Sequence, residues 1–132
     1  MTAMCVALDP KTGCASVVGA GHPPLLVARK CGRTDSIASS APPLGIRERS
    51  AFLETHIELE RGEAFFLYTD GLTGLAHEKN PRLSSERLGE MLQPLGTNAE
   101  TLLNRVMEQS LMKYPEKRAP DDVAAVVVRR SN

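Results

Sequence analysis

The sequence predicts an α+β domain in which helices pack on an antiparallel sheet. Two observations predict it. Up to about residue 69 the chain is a series of short apolar runs separated by turns rich in Gly and Pro, and beyond that point the apolar residues shift to helical spacing before a last apolar run, VAAVVV. With 132 residues there is room for one domain with a real core and too little for two of ordinary size.

TAMCVAL and CASVVGA read as two strands around DPKTG, where Pro10 and Gly13 supply the turn. GHPPLLVA reads as a strand interrupted by its prolines. The stretch CGRTDSIASSAPPLGI is expected to be loop. Between Phe52 and Leu59 the alternation of Leu53, Ile57 and Leu59 suggests a strand with one face in the core. Arg61-Gly62 turns the chain into AFFLYT, a more fully buried strand.

Leu88, Met91 and Leu92 then fall at helical spacing. TNAETLLNRVMEQSLMKY is the stronger helix, with Thr97 and Glu100 as a capping box and Leu103, Val106, Met107, Ser110, Leu111 and Tyr114 as a stripe, stopped by Pro115. VAAVVV is read as a final buried strand. The expected count is five or six strands and two helices.

Sixteen basic residues balance sixteen acidic ones and only 4% of the chain is aromatic, which argues against a polyanionic partner and against base stacking. No nucleic-acid partner is therefore expected. No apolar run approaches the roughly 18 residues that a membrane span needs, and the N-terminus lacks the charged region of a signal peptide. Cys5, Cys14 and Cys31 form no C-x-x-C pair, and they are read as buried, reduced thiols of a cytoplasmic protein.

The stretch FLYTDGL raises the functional question, because an apolar strand ends there on a bare carboxylate. Asp70-Gly71 is either a hairpin turn or a strand end from which Asp70 projects, with Gly71 letting the backbone bend away. LTGLAHEKNP shows no period-two alternation, so no second hairpin arm follows. Asp121 and Asp122 pose the same choice before VAAVVV: solvated loop residues beside a proline, or part of a site. If the two strands are antiparallel neighbours, the end of one lies beside the start of the other. Carboxylates gathered there repel one another unless a cation joins them, and an all-oxygen set suits magnesium or manganese.

AGHPPLLV, PPLGI, FLYTDGL and PDDVAAVVV, in this order, resemble the C-terminal half of the PPM metal-dependent protein serine/threonine phosphatases. The likeness is to the bacterial branch typified by the stage II sporulation phosphatase E (SpoIIE) and the regulators of the stress sigma factor. It runs from about Thr2 to Arg129, so residues 1–132 are expected to form the C-terminal part of a single catalytic domain.

The resemblance implies an antiparallel β-sandwich with flanking helices, lacking its N-terminal portion. It implies metal ligation by Asp70 and Asp121, with Gly71 and Asp122 in support and no catalytic side chain assigned. It also implies two manganese or magnesium ions in the complete domain, with none necessarily retained by this chain. The implied reaction is hydrolysis of phosphoserine or phosphothreonine on a regulatory protein, such as an anti-sigma factor antagonist, by metal-activated water.

The family's Asp-x-x-Gly-His-Gly stretch is missing, so this chain alone is expected to be inactive. His22 is expected to be structural. The alternative is a catalytically incomplete remnant that binds a protein or forms homo-oligomers through sheet surface left exposed. A receiver or haloacid-dehalogenase domain does not fit, since the Asp-x-Asp pair and the alternating parallel βα units are both missing.

Overall fold

The computed structural model describes residues 1–73, 84–93, 98–111 and 122–131. Its strands are β1 (Ala3–Leu8), β2 (Cys14–Ala20), β3 (Leu25–Ala28), β4 (Thr34–Ile37), β5 (Thr55–Glu58), β6 (Ala64–Tyr68) and β7 (Ala125–Arg129). Its helices are the single turn α1 (Asp70–Thr73), then α2 (Ser85–Met91) and α3 (Ala99–Leu111). The strands form two sheets, ordered β1-β2-β5 and β4-β3-β6-β7, and every pairing is antiparallel. This is the expected α+β class.

The layering follows from strand alternation, which sends successive side chains to opposite faces. Leu25, Val27 and Phe65 point from the four-stranded sheet towards the three-stranded one, where they meet Ala15 and Val17 with Met4, Val6 and Leu8 at the margin. Leu26, Ala28, Phe66 and Tyr68 point the other way and are covered by Leu72, Leu88, Met91, Leu92 and Val106 from the helices. A central sheet covered on both faces needs apolar side chains at every position, which explains the continuous runs LLVA and AFFLY.

Several expectations need correction. The stretch assigned to loop contains β4, a four-residue strand that completes a hairpin with β3. Leu53 is 67% exposed and precedes β5: Ser40 Oγ donates to its carbonyl and accepts from its N–H, both at 3.1 Å, so its backbone is held while its side chain faces water. The last strand is not uniformly buried. β7 stands at the end of its sheet among the described residues, and Val126 is 53% exposed.

All three cysteines are exposed. Ala15 and Val17 face inward, so Cys14 belongs to the opposite, outer face of the three-stranded sheet; Cys5, paired with Val18, shares that face. At the start of α3, Asn98 Oδ1 accepts the Thr101 N–H at 2.7 Å and supplies the cap. Thr97 lies outside the described residues, as do Tyr114 and Pro115 and the side chains of Ser110 and Leu111. No helix among the described residues is long and apolar enough to cross a membrane.

One buried ionic cluster ties the two sheets' connections together. Glu63, 4% exposed, accepts from Arg29 Nη1 at 2.9 Å, from the Glu60 N–H at 3.0 Å and from the Lys30 N–H at 3.2 Å. Arg29 also donates through Nε to Asp35 at 2.7 Å and through Nη1 to the Glu58 carbonyl at 2.6 Å. Burial pushes the Glu63 carboxyl up, but the bonds from the Glu60 and Lys30 N–H groups and from Arg29 together outweigh it and hold it below its ordinary value. The Asp35 carboxyl is lowered chiefly by its bond from Arg29.

Candidate functional site

The site is built where β6 ends and β7 begins. Tyr68 faces Ala125 in the ladder, and the pairing runs back through Leu67–Val126 to Ala64–Arg129. The Thr69 N–H extends it by donating to the Ala124 carbonyl at 2.9 Å. The Thr69 hydroxyl then closes the junction twice over, donating to the Asp122 carbonyl at 2.9 Å and accepting the Ala124 N–H at 2.9 Å. The sequence reading did not single out Thr69. Its signal was a hydroxyl residue between the end of the strand and the carboxylate.

Asp70 follows directly as the first residue of α1 and is exposed. Asp70-Gly71 is therefore no hairpin turn. Nor does Gly71 use its freedom at positive φ: the left-handed glycines are Gly13, Gly21, Gly32, Gly45 and Gly62, whereas Gly71 is buried within the helical turn. The bend is made by entering a right-handed turn, which Leu72, fully buried, pins to the core. Among the described residues the Asp70 carboxylate makes no salt bridge.

Asp122 is exposed beside it, with its carbonyl engaged by Thr69. Asp121 lies outside the described residues. Beneath the rim, Phe66 and Tyr68 stack with ring centroids 5.4 Å apart, and the Tyr68 hydroxyl bonds Ser85 Oγ at 3.0 Å. Burial raises the Tyr68 pKa above its ordinary value, so this ring acts as a neutral floor.

The GHPP loop reaches the same end of the sheet. Leu26 faces Phe66 in an antiparallel pair, with His22 four residues before the one and Asp70 four residues after the other. The loop is tightly held. Gly21 has φ of 63° and donates its N–H to the Ala41 carbonyl at 2.8 Å, and a Cβ there would collide with the Pro43 ring. Ser39 Oγ accepts the His22 N–H at 2.9 Å and donates to the His22 carbonyl at 2.8 Å.

GHPP and PPLG, far apart in sequence, are thus one packed unit. Gly21→Ala combines a left-handed backbone cost with overpacking against Pro43, and should destabilise the fold by about 2–4 kcal/mol in urea unfolding. Gly32→Ala, where φ is 82° but a Cβ would meet nothing, isolates the backbone part.

Among the described residues no group of three or more His, Cys, Asp or Glu could hold a metal ion. Asp70 offers one hard, exposed carboxylate, a donor that suits a divalent cation in kind but is far short of a full set in number.

Two antiparallel sheets packed face to face, with helices against the outer face of one of them, match part of the fold of PP2C-type phosphatase domains. The phosphatase domain of the cell fate determinant SpoIIE from Bacillus subtilis, manganese-presoaked, superposes with a TM-score of 0.77 at 17% identity, over 100% of this chain and 57% of that one. The RsbU and RsbW domains of a Mycobacterium tuberculosis protein superpose with a TM-score of 0.75 at 23% identity, over 98% of this chain and 37% of that one. These likenesses show the fold.

The chain belongs to the Stage II sporulation protein E (SpoIIE) family, whose profile matches residues 1–131. Among curated proteins, Protein IcfG of Synechocystis sp. (strain ATCC 27184 / PCC 6803 / Kazusa) is 26% identical over 125 residues, 94% of this chain and 20% of that protein. The chain thus spans little more than half of the SpoIIE phosphatase structure and a fifth of its curated relative.

Proposed function

We propose that the chain is the C-terminal part of a metal-dependent protein serine/threonine phosphatase domain, and that Asp70 and Asp121 are its contribution to the metal centre. The observation that carries this reading is the β6–β7 junction: Tyr68 opposite Ala125, with Thr69 bonded to Ala124 and Asp122, brings the chain leaving β6 beside the chain entering β7. Asp70 stands at that junction, and Asp121 immediately precedes its other side.

When bound there, manganese or magnesium supplies a water of lowered pKa and neutralises charge on the phosphoryl oxygens. The protein's part is positional. Thr69 fixes the separation of the two strands, Leu72 sets the turn that carries Asp70, and Asp122 extends the carboxylate surface as a supporting residue. The substrate is a phosphoserine or phosphothreonine of a regulatory protein, such as an anti-sigma factor antagonist. Manganese presoaking of the SpoIIE phosphatase domain supports the choice of metal.

Two carboxylates fall short of a full octahedral set. This chain alone should therefore show no manganese-dependent hydrolysis of p-nitrophenyl phosphate above background. Robust hydrolysis that Asp70→Ala abolishes would show that the site is already complete within these residues.

A second reading is favoured by the half-exposed Val126 on β7, a strand whose far edge has no neighbour among the described residues. On that reading the chain is a non-catalytic module that pairs with a protein partner or with itself. Manganese calorimetry beside analytical ultracentrifugation separates the two. A stable oligomer that binds no metal favours the second, and metal binding that requires Asp70 favours the first.

A further inference from the structure

We infer that Thr69 is a positioning residue for the metal centre, its hydroxyl holding the segment that enters β7 at ladder spacing from Asp70. This rests on the metal-centre reading above and adds to it the group that sets the geometry. Two residues that form a hydrogen-bonded pair in an antiparallel ladder exchange two bonds, each N–H going to the other's carbonyl. Thr69 and Ala124 exchange only one. The Thr69 N–H reaches the Ala124 carbonyl at 2.9 Å, but the Thr69 carbonyl accepts the Leu72 N–H at 3.0 Å, within the turn that carries Asp70.

That departure would leave the Ala124 N–H without its ladder acceptor, and the hydroxyl takes the carbonyl's place. Thr69 Oγ accepts the Ala124 N–H at 2.9 Å. Its one proton goes to the nearer of two carbonyls, Asp122 at 2.9 Å rather than Ala124 at 3.4 Å. The chain therefore turns away with Asp70 while the opposite segment stays tied to β6 as far as Asp122, the residue after Asp121.

A threonine just before a helical turn ordinarily offers its oxygen to that turn's own N–H groups. Here both short bonds of the hydroxyl run to residues 53 and 55 positions along the chain. Bonds this open to solvent add little stability, because water offers the same partners. Water does not fix a spacing, and two carboxylates that share one ion need one.

The test is manganese titration of the 132-residue chain, read by calorimetry and by paramagnetic broadening of its amide NMR signals. In the wild type, manganese should broaden the Asp70 and Asp122 signals together, a readout that needs no substitution. Thr69→Val keeps the branched shape and loses both hydroxyl bonds. It should bind manganese about tenfold more weakly, the lower end of what outer partners of metal ligands are worth. It should also broaden the Asp70 signal without that of Asp122. Thr69→Ser keeps the hydroxyl and should restore both readouts. The Ala124 N–H should exchange with solvent faster in Thr69→Val than in Thr69→Ser, with the amides of β6 equally protected in the two.

Asp70-dependent manganese binding that is equally tight in the wild type and in Thr69→Val overturns the role of Thr69 and leaves the metal centre standing. Equal weakening in Thr69→Val and Thr69→Ser does the same, since the hydroxyl would then not be what matters. No Asp70-dependent manganese binding in the wild type overturns both.

Discussion

Glu63→Ala should cost about 3–5 kcal/mol of folding free energy. It removes a buried carboxylate together with its ion pair to the largely buried Arg29, which keeps Asp35, and leaves the Glu60 and Lys30 N–H groups without their acceptor. The carboxylate is 4% exposed and collects Arg29, Lys30 and Glu60 at one point between the β3–β4 hairpin and the turn into β6. For a domain of this size that loss is about a third or more of the total stability. Glu63→Gln keeps an acceptor in place and should cost less, about 1–3 kcal/mol. Urea unfolding of the two variants measures the difference, and equal losses would mean that the charge carries the whole effect.

The same cluster sets an acid limit. Glu63 and Asp35 both have carboxyl pKa values held below their ordinary ones in the folded protein. Between the folded and unfolded values the unfolded chain binds protons that the folded chain does not, so stability rises with pH across that window. Their contribution is complete above the unfolded-state values and is lost as the pH falls through the folded ones, so the urea midpoint should drop below about pH 4. In Glu63→Ala that drop should be shallower.

The second large effect falls on metal affinity. Asp70→Ala should abolish manganese binding by this chain, or weaken it by at least about a hundredfold, since an incomplete set that loses one of its few charged ligands keeps little to hold a divalent ion. Asp121→Ala should do the same. The double variant should lose no more than either single one, because groups that act on one ion are not additive. Independent, additive losses would place the two carboxylates at separate sites. Asp122→Ala should have the smallest effect of the three.

Much of this arrangement is legible in the sequence where burial is regular. The β1–β2 hairpin, the doubly buried β6 and the Leu88–Leu92 helix each carry a periodicity that matches their surroundings. The misreadings occur where an element is only partly covered. β4 has just four residues, mostly polar, and is a strand because β3 offers it an edge. Leu53 looks like a core residue by alternation, yet Ser40 holds its backbone so that its side chain is exposed.

Val126 looks buried because its neighbours are valines, and Val128 on the same face does pack into the core between the sheets. Val126 itself is 53% exposed, on a strand at the end of its sheet among the described residues. At the site, Asp70 was legible as a strand-end carboxylate. What the letters hide is how it is held: Thr69 bonding across to Asp122 and Ala124, and a right-handed turn in place of a glycine bend. Long-range hydroxyl bonds leave no periodic trace. The packing of Pro43 on Gly21 likewise joins two motifs that sequence shows only as collinear.

The account depends most on Asp70 and Asp121 sharing one divalent ion at the β6–β7 rim. Anomalous diffraction from crystals of this chain soaked in manganese tests it directly. The prediction is one peak within about 2.2 Å of a carboxylate oxygen from each residue, between the distances usual for magnesium and calcium. Asp121 placed away from Asp70, or a manganese peak touching neither, would contradict it.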